Sequence, residues 1–130
     1  MAHEAEVREV LARLRTRTAD LTAVVAASVD GLVLAAEPPV ADAEGIAALT
    51  AAALGVGLRL ADTTERGAFR ELLVHGENGY VATYAAGPAC VLTVLAGPRV
   101  NVGRLHMEAR RAGARVAELL DGEAVRLEDS

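Results

Sequence analysis

The sequence predicts an α+β fold: one five-stranded antiparallel sheet with helices on its faces, in the order α-β-β-α-β-β-β-α. Three observations carry this reading. The apolar pattern alternates between a helical period and short runs of small and β-branched residues, as helices and buried strands require. The dipeptides Asp30-Gly31 and Asn78-Gly79 each stand between apolar runs, and glycine accepts the backbone angles of a tight hairpin. The chain has 130 residues, 52% of them hydrophobic, enough for one packed domain and too few for two. That domain is expected over residues 1–122, with 123–130 as a flexible tail.

The first helix is expected from about Glu4 to Arg17. Val7, Val10, Leu11 and Leu14 make one apolar stripe, and Glu6, Arg8, Glu9, Arg13 and Arg15 face away. A strand, Leu21–Ser28, turns at Asp30-Gly31 into a second, Val33–Ala36, which Pro38-Pro39 ends because proline cannot donate to a ladder. Asp42 reads as the cap of a second helix from about Ala43 to Leu60, with Glu44 suited to its first turn. From Gly45 to Leu58 this helix carries no charge and only one polar residue, Thr50. A helix apolar all round needs cover on two sides, and a single sheet face supplies one. A second copy of the chain would supply the other.

After the polar loop Asp62–Gly67 come three strands: Phe69 to His75, Tyr80 to Ala86 beyond the Asn78-Gly79 turn, and Cys90 to Ala96 as a buried central strand. Asn101 reads as the cap of a last helix whose stripe is Val102, Leu105, Ala109, Ala112, Val116 and Leu119. Asp121-Gly122 is expected to stop it.

Composition excludes several functions. The net charge is −5, lysine is absent, and the aromatics are Phe69, Tyr80 and Tyr84. Nucleic-acid binding needs cationic side chains and stacking platforms, so neither it nor an anionic membrane surface is an expected partner. The longest uncharged stretch outside the Cys90 strand, Gly45–Leu58, is too short to cross a membrane. The N-terminus is not a secretory signal. A cytoplasmic location is the expectation.

No catalytic motif rises above a structural reading. A phosphate loop of the G-x-x-x-x-G-K type is impossible without lysine, and Gly55-Val56-Gly57 reads as close helix packing. His3, His75 and His106 lack partners at metal-ligand spacing. Cys90 reads as an inert buried thiol, Ser28 has no adjacent base, and Asp42 and Glu44 read as helix-start charges. Arg104, Arg110, Arg111 and Arg115 recur at helical spacing, as a solvated face or as a surface for an acidic partner. No cofactor, no metal and no enzymatic activity are expected.

The segments Ser28-Val29-Asp30-Gly31-Leu32-Val33-Leu34-Ala35, Ile46–Leu54, Gly79-Tyr80-Val81, Cys90–Ala96 and Asn101-Val102-Gly103 together resemble the Roadblock/dynein light chain superfamily in its bacterial form. The resemblance spans Leu21 to Leu120. It implies a homodimer paired through the second helix and the third strand, and it places Leu49, Ala52, Ala53, Val56, Leu60, Arg70, Leu72 and Val74 at that interface. Arg70 and Glu71 would exchange charge contacts across the twofold axis. The resemblance also implies a partner, a small Ras-like GTPase of the kind regulated by MglB-type proteins, in some cases alongside a sensor kinase. Arg59 and Arg66 are the candidate GTPase contacts. The alternatives are a PAS- or GAF-like small-molecule sensor and a purely structural scaffold.

Overall fold

The computed structural model describes residues 3–129. Its elements run α1 (Glu4–Arg17), β1 (Leu21–Ser28), β2 (Val33–Glu37), α2 (Ala43–Thr63), β3 (Glu71–Gly76), β4 (Gly79–Ala86), β5 (Cys90–Ala96) and α3 (Val102–Asp129). The order matches the sequence expectation. The strands form one sheet, β2-β1-β5-β4-β3, antiparallel at every pairing. Helices α1 and α3 cover one face and α2 covers part of the other.

The main core lies under α1 and α3. Val7, Leu11 and Leu14 of α1 meet Val24, Leu92, Val94 and Tyr84 of the sheet and Leu105, Ala109 and Val116 of α3. Helix α1 is the amphipathic helix expected, with Glu4 and Glu6 in its first turn and Arg15 and Arg17 in its last, each matched to the helix dipole. Strand β5 sits between β1 and β4, and of its residues only Leu95 is not fully buried, as befits a central strand.

The hairpin turns follow local chemistry. Ser28 Oγ accepts from the Leu32 backbone N–H at 3.1 Å while the Ser28 N–H donates to the Leu32 carbonyl at 2.8 Å, so this serine closes a turn. Gly79 has φ +147, and a Cβ there would collide with the Ala96 carbonyl, so only glycine fits the β3–β4 turn. Asp42 caps α2, its Oδ1 accepting from Gly45 N–H at 3.2 Å, and Asn101 caps α3 through Arg104 N–H at 3.0 Å.

Four features differ from expectation. Helix α2 runs to Thr63, three residues beyond Leu60, because its end is set by a backbone motif. Glu65, at φ 58, lets Arg66 N–H reach the Ala61 carbonyl at 2.8 Å and Glu65 N–H reach that of Asp62 at 3.0 Å. Strand β3 starts at Glu71 rather than Phe69, because the Phe69 ring turns under α2 and joins Ala27, Ala47, Leu54 and Val91 in a small second core. Arg70 therefore precedes the strand. Helix α3 does not stop at Asp121-Gly122. It continues to Asp129, so 123–129 are helical where a loose tail was expected; Ser130 lies outside the described residues. An internal glycine costs a helix about 1 kcal/mol without ending it, and no proline follows. Lastly, α2 has 21 residues and contains an 18-residue window of mean hydropathy 1.4, so by length and composition it could cross a membrane, where its uncharged stretch was expected to be too short. In this fold it is docked on the sheet.

Candidate functional site

Helix α2 is inverted relative to an ordinary surface helix. Its single polar residue between Gly45 and Leu58, Thr50, is buried, while most of its large aliphatic side chains (Leu49, Val56, Leu58 and Leu60) are exposed. Ala47, Thr50, Leu54 and Gly57 face the sheet. Thr50 Oγ1 and Thr93 Oγ1 share a hydrogen bond of 2.7 Å, and Thr83 Oγ1 stands 3.4 Å from the same oxygen, so the buried hydroxyl is satisfied. Gly57 is needed where it is: a Cβ there would lie 2.5 Å from Phe69 Cε2. Gly55 faces open space, so close packing explains one of the two glycines in Gly55-Val56-Gly57 and not the other.

On the outer side, Leu49 is 74% exposed, Val56 58% and Leu60 57%, at spacings of seven and four residues that set them on one stripe. Ala52 is exposed and Ala53 half-buried along the same side. Sequence reasoning missed Leu58, 48% exposed on the same helix.

Beside this helix the sheet is incomplete. Strand β3 is bonded to β4 on one side and is an edge on the other. The opposite edge, β2, is five residues long, runs into Pro38-Pro39 and is flanked by α1, so it is blunted. Strand β3 has no such protection. Leu72 and Val74 pair with Thr83 and Val81, which places all four on the α2 side of the sheet. Val74 is 53% exposed and Val81 37%. Val81 was missed; the register of the Asn78-Gly79 hairpin was the signal that would have found it. Next to them, an open groove of about 680 Å³ is bordered by Leu60 of α2, Arg66, Phe69, Arg70 and Leu72.

The structure therefore gathers Leu60, Arg66, Arg70 and Leu72 around one groove and keeps Leu49, Ala52, Ala53 and Val56 along the adjoining helix. Val74 lies farther along the edge strand. Arg59 is exposed on α2 and lines no part of the groove.

Glu71 departs from expectation. It is held within the chain, its Oε1 taking a short hydrogen bond from Arg110 of α3 and lying 3.9 Å from His106 Nδ1. His106 in turn shares a 2.6 Å hydrogen bond with the hydroxyl of Tyr84, which is fully buried. Burial first and the Glu71 carboxylate second raise the Tyr84 pKa well above that of a free phenol, with Arg110 partly offsetting them, so the hydroxyl stays protonated. This network ties β3 and β4 to α3 over separations of 22 and 39 positions, which no local pattern reveals. The arginine expected to reach across a twofold axis, Arg70, has no ion-pair partner among the described residues.

A model of the Roadblock/LC7 domain matches residues 7–96. A comparison with curated proteins returns no match. Among solved structures the chain is similar to a Roadblock/LC7 domain from Streptomyces avermitilis, at 25% identity and TM-score 0.81, covering 87% of this chain and 96% of that one. It is also similar to the gliding protein MglB from Thermus thermophilus, at 20% identity and TM-score 0.83, covering 94% and 93%. A profilin from Acanthamoeba castellanii shares the fold at 15% identity and TM-score 0.55, covering 94% and 98%.

Proposed function

Because the chain belongs to the Roadblock/LC7 domain family, we propose that it is a homodimeric, cytoplasmic regulatory or scaffold module that binds a small Ras-like GTPase. The observation that carries this reading is the inverted α2 helix beside an open sheet edge. Exposed contiguous apolar surface marks a protein interface, and a twofold axis through this face lets one surface cover its own copy. Pairing of β3 with its counterpart would extend the sheet across the dimer and remove the unprotected edge. Burying Leu49 alone would be worth roughly 1–2 kcal/mol per protomer at its present exposure.

Likeness to MglB supports a GTPase as the second partner. With two α2 helices side by side, Arg66 and Arg70 at their grooves would flank a shared platform and offer guanidinium groups to carboxylates of the bound protein. Such a module needs no catalytic residue: it would shift the GTPase between switch-loop conformations by binding one of them more tightly.

The test is retention from native lysate on the immobilised, tagged chain, with GDP and with a non-hydrolysable GTP analogue, read by mass spectrometry. A Ras-like GTPase held in one nucleotide state and released by Arg66→Glu is the expected result. Absence of any GTPase in both states would leave a dimeric scaffold without this partner.

A further inference from the structure

We propose that the groove between α1 and α3, on the sheet face opposite α2, docks an acidic amphipathic helix of a partner protein. The two helices lie antiparallel. Arg104 at the start of α3 reaches the last turn of α1, its Nε donating to the Arg17 carbonyl at 3.0 Å, while Leu119 borders Glu6 near the start of α1. The groove between them encloses about 150 Å³ over an apolar floor of Val10, Leu14 and Ala112. Its rims carry four arginines, Arg13 and Arg17 on one side and Arg111 and Arg115 on the other, against a single carboxylate, Glu108. Four arginines thus converge on one groove of a chain whose net charge is −5.

The arginines are available. Arg17 makes no ion pair among the described residues. Arg13 and Arg115 pair only with Glu9 and Glu118 one turn away on their own helices, at exposed positions where such pairs are weak and readily exchanged. Glu108, 7% exposed, has Arg111 at 3.7 Å, so its charge is already partly matched within the chain. Toward the other end the groove meets Glu6 and Glu9, so its charge is graded along its length. An apolar floor between cationic walls fits a helix whose aliphatic residues recur at three- and four-residue spacing and whose flanks are acidic. Guanidinium groups grip carboxylates through paired hydrogen bonds. The concave shape disfavours a flat anionic membrane, and the apolar floor disfavours a polyphosphate backbone, which has no aliphatic side chains to set on it.

The experiment is fluorescence anisotropy of a labelled acidic helix of about 16 residues, with leucines at helical spacing and glutamates on both flanks, titrated with the full chain. A scrambled peptide of identical composition and phosphatidylserine vesicles are the controls. Measurable binding is expected below about 100 µM, about tenfold weaker for the scrambled peptide and about tenfold weaker with Arg17→Glu plus Arg115→Glu. It should fall as salt rises toward about 0.3 M and be unchanged by Glu77→Gln in the exposed β3–β4 turn. Circular dichroism checks folding, and Arg17→Gln plus Arg115→Gln, expected to weaken binding about threefold, serves if the charge reversal unfolds the chain. Equal affinity for the scrambled peptide, indifference to both double variants, no binding below about 1 mM, or retention on vesicles without peptide binding would each overturn the proposal.

Discussion

Single residues decide whether the interior is polar or inert. Burial pushes the Cys90 thiol up from 9.0 to about 11, with backbone hydrogen bonds at Val91 and Ala27 partly offsetting it. Since the thiolate is the reactive form, a thiol reagent at pH 8 should modify Cys90 only as fast as the domain opens, and promptly in denaturant; rapid modification of the folded chain would contradict this. The unfolded thiol ionises first, so its contribution to stability is intact below about pH 9 and is lost as pH climbs to about 11, by roughly 2–3 kcal/mol. Denaturant titrations at pH 8 and pH 11 should show that decline, and Cys90→Ala should reduce it, leaving the part due to Tyr84. Thr50→Val keeps shape but strands the Thr93 hydroxyl with only its long Thr83 contact, and should cost about 1 kcal/mol. The sequence made Thr50 conspicuous as the one polar residue of an apolar helix. It did not reveal its partner, because Thr93 is 43 positions away and strand-to-helix registry is a tertiary fact.

At the scale of elements, what was legible had a local cause. Asp42 and Asn101 as caps, both hairpins and the β5 core strand are written in adjacent residues, and each was found. What was missed has a distant cause. Phe69 leaves β3 because Gly57, twelve positions earlier in sequence, clears room for its ring. Helix α2 overruns Leu60 because Glu65 takes a left-handed backbone angle that glutamate seldom adopts. Glu65→Gly should therefore relieve strain and raise stability by about 0.5–1 kcal/mol in thermal melts, a gain an ordinary helix end would not show. Gly79→Ala should do the reverse, since its Cβ meets backbone at Ala96, and should lower the midpoint sharply or prevent folding.

For the whole molecule, fold class was legible because three layers demand three patterns: an amphipathic helix over each half of one sheet face, strands of small and β-branched residues buried on both sides, and a helix with two apolar sides. That last pattern also made the uncovered face legible: a helix without a charged side has to leave apolar residues outside, and Leu49, Val56 and Leu60 stand exposed. Arg70 and Glu71 were not readable in the same way, because charged side chains choose partners by three-dimensional proximity, and Glu71 finds Arg110 and His106 within the chain. The arginines of α1 and α3 form a groove only once antiparallel packing brings the helices together.

The central claim is that this chain pairs with itself through the outer face of α2 and the edge strand β3. Sedimentation equilibrium of the wild-type chain and of Leu49→Glu plus Val56→Glu tests it most directly. The account predicts a wild-type mass twice that of the 13.4 kDa chain at micromolar concentration, and a folded monomer for the variant. A wild-type monomer, or a variant that remains a dimer, would contradict it.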